Sequence, residues 1–90
     1  MCVRIHASAL RHNITKDDIA HALEYLLGSY VLNDGTEFMR TLVIGPDTSG
    51  RILELVVTLV DEDELLVIHA MKARKKNIAY VKWEDGEKNE

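Results

Sequence analysis

The chain has 90 residues, of which 47% are hydrophobic and 29% are charged, and its formal net charge is −4. This length allows one domain with a small core, and the composition is typical of a soluble globular protein. The acidic net charge argues against a protein that coats nucleic acid by charge alone.

Targeting and redox signals are scarce. No apolar run approaches the roughly 18 residues of a membrane span, and the N-terminus lacks a signal-peptide pattern. The single cysteine, Cys2, excludes an internal disulfide and favours a reducing compartment. We therefore expect a cytoplasmic protein without a membrane partner.

Most of the negative charge lies in the last seven residues. Residues 84–90 contain four acids and one base, which supply −3 of the −4, and they contain no apolar side chain. This composition predicts a disordered acidic tail. The chain is interpreted as a single α+β domain over residues 1–83, followed by the tail.

Two helices are predicted ahead of the first strand. Residues 3–11 contain no Gly or Pro, and Asn13 is a suitable end because Asn tolerates left-handed backbone geometry. Thr15 then begins a capping box, in which its side chain accepts from the backbone N–H of Asp18. Apolar residues at i, i+4, i+7 and i+8 predict an amphipathic helix over residues 16–27.

Three strands follow a turn at Asn33-Asp34-Gly35. Residues 37–44, 51–60 and 64–71 are rich in β-branched and apolar side chains, and an acidic turn joins the last two. The expected fold is α+β, with two N-terminal helices packed on a three- to four-stranded antiparallel β-meander.

Side-chain alternation assigns the faces of this sheet. If the acidic turn closes with an even loop, Val57 pairs with Ile68 and Val56 pairs with His69. The face covered by the helices would then include Leu66, Ile68 and Ala70. The open face would include Val67, His69 and Met71, with His69 close to Glu54. An odd loop or a bulge would exchange the faces.

The third predicted strand ends in a histidine and a cluster of bases, namely His69, Lys72, Arg74, Lys75 and Lys76. This set is suited to binding a phosphodiester, since Arg grips phosphate oxygens in pairs and His exchanges protons near neutral pH. Alternatively, these bases are only exposed, solvated side chains at the end of an ordinary hairpin and have no binding role. The histidines lack metal-ligand spacing and no Walker-type loop is present, so we expect no metal or cofactor.

Two segments resemble a known family. The opening IHASALRHNITKDDIAHAL and the strand end VIHAMKAR are similar to the BrnT-like branch of the RelE superfamily, the small toxins of bacterial toxin–antitoxin pairs, and to its actinobacterial relatives. The similarity covers roughly residues 4–76. It implies a RelE/BrnT-like α+β fold and a toxin that cleaves mRNA without a metal. It also implies an antitoxin partner that covers the active face.

The resemblance implies roles for particular residues. His69 and Arg74 would be catalytic, with His6 and Arg11 of the first predicted helix as further contributors. Phosphate binding would involve Lys72, Lys75 and Lys76. In the relatives the position of Lys72 is commonly proline, which weakens a role for that residue.

A second hypothesis comes from a different functional class. The chain could be a non-catalytic interaction module that binds a protein partner or a second copy of itself through the open sheet face. The residues of that face are Ile52, Val56, Val60 and Val67. Residues 77–83 are expected to form either a short helix or an added edge strand, and if they fold over the open face they would bury the proposed site.

Overall fold

The computed structural model describes residues 2–32, 39–80 and 82–83. Within them a six-stranded sheet carries two short α-helices. The strands are β1 (Cys2–Ile5), β2 (Gly28–Leu32), β3 (Arg40–Pro46), β4 (Ile52–Asp61), β5 (Glu64–Lys72) and β6 (Lys82–Trp83). The helices are α1 (Lys16–Glu24) and α2 (Lys75–Tyr80). The strand order is β1-β5-β4-β3-β2-β6, and all neighbours are antiparallel except β1 and β5.

The predicted fold of two N-terminal helices on an antiparallel meander is wrong. Residues 3–11, expected to be helical, form most of β1 and then a single 3-10 turn over Ala7–Leu10. The β1 segment pairs in parallel with β5, so that Ile5 lies beside Val67 and the sheet is mixed. The absence of Gly and Pro permits a helix but does not require one, and the β-branched residues of this segment suit a strand.

The second predicted helix is present as α1, and its capping box is confirmed. The Thr15 hydroxyl accepts from the backbone N–H of Asp18 at 3.1 Å, and the Asp18 carboxylate accepts from the backbone N–H of Thr15 at 3.2 Å. Asn13 adopts the left-handed geometry expected of it, with φ of 59°. The helix ends before residue 27 because the Leu27 N–H donates to the Ile44 carbonyl at 2.7 Å, which leads the chain into β2.

Removal of this cap tests how much local structure contributes to stability. Thr15→Ala should lower the free energy of unfolding by about 1 kcal/mol, since it leaves one helix N–H without an acceptor. Urea denaturation followed by circular dichroism measures the change. Lys16→Ala alters the next, exposed position without touching the box and should be nearly neutral. Equal stabilities of the two variants would contradict the prediction.

The main core lies between α1 and one face of the sheet. Its buried members come from the 3-10 turn, the loop after it, α1 and strands β3 to β5: Ala9, Ile14, Ile19, Ala22, Val43, Leu53, Leu55, Val57, Val67 and Ala70. Helix and sheet lie in close contact at Gly45, where an added Cβ would lie 2.3 Å from the backbone oxygen of Ala22. Only a residue without a side chain lets α1 lie this close to β3.

The register of β4 and β5 contains a bulge that alternation did not predict. Val56 pairs with His69 as expected, but Val57 pairs with Val67 instead of Ile68. Ile68 is thus the extra residue, and its carbonyl accepts from the Ser8 hydroxyl at 2.7 Å. Placing Val67 on the open face was therefore wrong. A second irregularity leaves Val60 as an extra residue of β4 between Leu59 and Asp61, and this shift moves Val67 into the main core before the Ile68 bulge restores the expected register at His69. By the same shift, Leu66 pairs with Thr58 on the opposite face.

The opposite face of the sheet is partly covered by the segment after β5. Leu42 and Ile44 are buried there, and half-buried apolar residues pack around them: Leu27, Leu32, Ile52, Val56, Ala73 and Ile78. Residues 77–83 take both of the expected forms, since they complete α2 and then add β6 beside β2. The four residues of the hypothetical dimer face do not form one open surface. Ile52 and Val56 belong to this second cluster, and Val67 lies in the main core.

Some predictions fall outside the described residues. These are the turn at residues 33–35, the first two residues of the predicted strand over 37–44, and the acidic tail over 84–90. The remainder of that strand is present as β3. Among the helices of the described residues, none has the length and apolar character needed to cross a membrane.

Candidate functional site

A buried carboxylate lies at the centre of the candidate site. Glu54 stands in the apolar run of β4 and is fully inaccessible to solvent. In the sheet it pairs with Ile44 of β3 and Met71 of β5, on the face opposite the main core. A charged residue in such a place requires partners, because an unpaired buried charge is strongly unfavourable.

The partners come from the end of β5 and the start of α2. Oε1 of Glu54 accepts from the Arg74 backbone N–H at 3.0 Å, from Arg74 Nε at 3.3 Å and from Asn77 Nδ2 at 2.9 Å. Oε2 accepts from Arg74 Nη2 at 2.8 Å and lies 3.3 Å from His69 Nε2. The chain reaches this position because the Ala73 N–H donates to the Ile52 carbonyl at 3.0 Å, which continues the sheet pairing past β5.

These contacts keep Glu54 ionised. Burial by itself raises the pKa of the carboxyl group, but the hydrogen bonds from Arg74 and Asn77 and the charge of Arg74 lower it to about 2. The same hydrogen bond and charge interaction raise the pKa of Arg74. The cluster is therefore a buried carboxylate anion held by a cation, and not a neutral acid available to donate a proton.

His69 reaches this carboxylate from the pairing strand. Its side chain is 34% exposed, so one part of the ring contacts Glu54 and another contacts solvent. An ionised carboxylate only accepts hydrogen bonds, so we assign the proton of the neutral ring to Nε2, which faces Glu54. This leaves the lone pair of Nδ1 to accept a proton from another molecule.

Glu54 fixes the position of the Arg74 guanidinium but binds only some of its N–H donors. The Arg74 side chain is 48% exposed, and Nε and one N–H of Nη2 point at Glu54. A guanidinium has five N–H donors, so three are not used by the carboxylate. Arg74 can therefore bind an anion while Glu54 fixes its position.

The other residues singled out by the sequence lie at different places. His6 precedes the 3-10 turn, where its Nδ1 is 3.1 Å from the Ser8 N–H and 2.9 Å from the Ser8 hydroxyl. Its backbone N–H donates to the Val67 carbonyl at 2.9 Å, so His6 follows directly on β1, the strand that pairs with β5. Arg11 is exposed just after the 3-10 turn.

The lysines do not form a single group with His69 and Arg74. Lys72 pairs with Leu53, so its position in the register belongs to the face that carries α1. Lys75 and Lys76 are exposed in the first turn of α2, directly after Arg74. The structure thus joins His69 and Arg74 through Glu54. Of the lysines, Lys75 and Lys76 follow Arg74 in the chain.

Sequence reasoning undervalued Glu54 and missed Asn77. Alternation along the strands predicts Glu54 close to His69 but assigns it no role in the site. The available signal was a single acid within the strand ILELVV, because a charged residue between buried apolar ones needs a specific cation. Asn77 carries no local signal, since its role depends on α2 folding back over β4.

A second polar cluster, formed by Asp18, Asp47, Thr48 and Arg51, closes the loop between β3 and β4. Asp47 accepts from the N–H groups of Ser49 and Arg51 and from Arg51 Nε, each at 2.8 Å. Burial by itself raises the pKa of Asp47, but these hydrogen bonds outweigh that effect, so the pKa lies below its usual value. Hydrogen bonds from Thr48 and Thr15 lower the pKa of the Asp18 carboxyl to about 2, although burial opposes them. Both carboxylates, of Asp18 and Asp47, therefore stabilise the loop between β3 and β4 and have a structural role.

Comparison of the chain with protein-family models, with curated proteins and with solved structures gives no significant match.

Proposed function

We propose that the chain is the toxin of a toxin–antitoxin pair and acts as a metal-independent endoribonuclease. The observation that supports this most is the arrangement around Glu54. One buried carboxylate anion positions a half-exposed imidazole and a half-exposed guanidinium on the same side of the sheet. The proposal also uses the sequence resemblance of residues 4–76 to BrnT-like toxins, and not the fold that this resemblance implies, since residues 3–11 form a strand and a 3-10 turn.

Cleavage of RNA by its own 2′-hydroxyl needs three contributions from the protein. A base removes the 2′-hydroxyl proton, an acid protonates the departing 5′-oxygen, and cations stabilise the charged phosphorane. The bond that forms joins the 2′-oxygen to phosphorus, and the bond that breaks joins phosphorus to the 5′-oxygen. No redox partner is required, and the products carry a 2′,3′-cyclic phosphate and a 5′-hydroxyl.

Each group of the cluster is suited to one of these tasks. His69 exchanges the proton through Nδ1, while Glu54 stabilises the imidazolium that forms. Arg74 binds the non-bridging phosphate oxygens with the donors that Glu54 does not use. Glu54 acts through His69 and Arg74, and Asn77 acts through Glu54, so both are positioning residues and neither needs to touch RNA.

Further residues of this proposal extend the phosphate-binding surface. Lys75 and Lys76 follow Arg74 and add positive charge along the RNA backbone. His6, which follows β1 beside the strand of His69, is the candidate for a second proton-transfer group. As a toxin, the protein would be neutralised by an antitoxin that covers the exposed sides of His69 and Arg74.

The test is cleavage of a defined RNA by the purified full chain in buffer containing a chelator. The wild type should produce 2′,3′-cyclic phosphate ends, and His69→Asn should slow cleavage roughly 10²- to 10⁴-fold, the range for loss of general acid–base catalysis. Asn removes the imidazole and cannot exchange a proton near neutral pH. Arg74→Ala should also slow cleavage.

The matched control is His12→Asn, in an exposed loop residue with φ of 58°, a geometry that Asn accepts. This variant should cleave as fast as the wild type. Thermal melts establish that every variant is folded, and induced expression should arrest growth with the wild type but not with His69→Asn. A folded wild type that leaves RNA intact and cells growing would disprove the proposal.

A further inference from the structure

The helix side of the sheet is not fully covered by α1. A helix of nine residues is about 13 Å long, whereas a ten-residue strand such as β4 extends about 33 Å. Helix α1 lies over the end of β3, where Ala22 meets Gly45, and Asp18 bonds to Thr48 in the loop that follows β3. The other end of the same sheet face therefore has no helix of the described residues above it.

An apolar groove of about 540 Å³ occupies this end of the sheet. It is lined by the end of α1 and the residues after it, by the residue before β3, and by strands β3, β4 and β5: Leu23, Leu26, Met39, Thr41, Val43, Val57, Thr58, Leu59 and Leu65. Leu23 in α1 and Leu26 just after it form one wall, and the sheet forms the floor. The groove thus continues the main core to the surface of the protein.

The floor of the groove ends in a row of exposed apolar side chains. Leu65 of β5 pairs with Val3 on one side and Leu59 on the other, so all three share one level of the sheet. Met39 reaches the same level, since its carbonyl accepts from Thr58 at 2.8 Å. The exposed fractions are 49% for Val3, 55% for Leu59 and 62% for Met39. A contiguous exposed apolar row of this kind is typical of a protein-binding surface.

Acidic residues border this row. The hairpin between Leu59 and Leu65 contains Asp61, Glu62 and Asp63, which are all exposed. Glu64 is next in the chain but is already paired with Arg4 at 2.6 Å. Arg40 lies close in sequence, yet it pairs with Thr58 and so belongs to the opposite face of the sheet. The groove therefore combines an apolar floor with a negatively charged border.

We propose that this groove binds an amphipathic helix of a partner protein whose apolar stripe is flanked by Lys and Arg. Such a helix would lie beside α1 at the usual interaxial distance of about 8–10 Å and would place residues i, i+3, i+4 and i+7 on the groove floor. The basic flanks would face the acidic hairpin. This surface lies on the opposite side of the sheet from His69, so its function does not depend on RNA cleavage.

A second copy of the chain is a poorer occupant. In a symmetric dimer through this groove the same acidic hairpin would border both sides of the contact, so like charges would oppose each other. The apolar faces of the two α-helices are also already used, since Ile19 and Ala22 of α1 lie in the main core and Ile78 of α2 covers the other face.

The test uses the full chain and a fluorescent synthetic peptide of about 18 residues, roughly five helical turns, with a Leu stripe flanked by Lys. Fluorescence anisotropy should show binding that weakens as salt is added, and a matched peptide with Glu in place of Lys should bind much more weakly. Leu59→Ser should weaken binding of the Lys peptide by about tenfold or more, as expected for a central contact residue. Carbon-13 labelling should show a shift of the Met39 methyl signal on binding.

The matched control is Tyr30→Ser, which also removes an exposed large side chain but lies opposite Leu42, on the other face. It should leave peptide binding unchanged. The double variant Asp61→Lys/Asp63→Lys reverses the charge of the hairpin beside the groove. It should bind the Glu peptide more tightly than the Lys peptide. Equal binding of both peptides, equal effects of Leu59→Ser and Tyr30→Ser, or a wild-type dimer that Leu59→Ser dissociates would overturn the proposal.

Discussion

Glu54→Gln is expected to lower the free energy of unfolding at pH 7 by about 3 kcal/mol, as follows from a pKa depressed from 4.5 to about 2 at 1.36 kcal/mol per unit. The amide of Gln keeps the volume of the carboxylate but not its charge. Its NH2 group cannot accept from Arg74, so a donor would face a donor inside the protein. Chemical denaturation at neutral pH measures the loss.

The same carboxylate determines how stability depends on acidity. Because the folded pKa of Glu54 lies below the unfolded value, its contribution is fully present above pH 4.5 and is lost as the pH falls towards 2. Asp18 and Asp47 have lowered pKa values as well, so they add to the acid sensitivity. Glu54→Gln should make the dependence on pH in this window shallower without removing it.

Glu64→Gln is the matched control for this prediction. Glu64 also pairs with an arginine, but the Arg4 side chain is 73% exposed, and an exposed pair contributes less than about 1 kcal/mol. If the two substitutions cost the same, or if Glu54→Gln left the acid transition unchanged, Glu54 would not be a buried anion held by Arg74.

The second large effect is expected from Gly45→Ala. A methyl group at this position would lie 2.3 Å from the backbone oxygen and 2.9 Å from the carbonyl carbon of Ala22. Since backbone atoms cannot rotate away, α1 must move off β3 and part of the main core must open. We expect a loss of about 3 kcal/mol, at the upper end of overpacking effects, measured as a shift of the denaturation midpoint.

Two comparisons isolate the clash from other effects of the substitution. Gly50→Ala introduces the same methyl group where no atom lies within 4 Å, at φ of 87°, so it should cost only the left-handed strain of about 1–2 kcal/mol. Ala22→Gly should not rescue Gly45→Ala, because the close atoms belong to the backbone. A rescued double variant would show that side-chain packing, and not the backbone approach, limits this position.

Several features could be predicted because their causes are local. The Thr15 capping box depends on residues three positions apart, and the strands β3, β4 and β5 depend on their own β-branched composition. The juxtaposition of His69 and Glu54 was also predicted, since alternation along one hairpin fixes which side chains share a face until a bulge intervenes. The predicted pairing of Val56 with His69 is observed because two register shifts cancel. Val60 is an extra residue of β4 between Leu59 and Asp61, and Ile68 is an extra residue of β5 between Val67 and His69.

Other features of the candidate site needed information from distant residues. Arg74 and Asn77 reach Glu54 only because α2 folds back over the sheet, and that packing depends on Ile78 meeting Leu42 and Ile44. No pattern within residues 73–80 reveals this contact. The sequence therefore indicated His69 and Arg74 as separate candidates, whereas the structure makes them two partners of one buried anion.

By itself the sequence determined the amphipathic α1 with its cap, the three central strands and the pairing of Val56 with His69. Only the tertiary structure decided that the N-terminus is a strand parallel to β5, that Ile68 is an extra residue, and that the last segment covers the second face. The physical reason is common to all three. Each depends on long-range hydrogen bonds or apolar contacts, and tertiary context overrides the weak local preferences of such short segments.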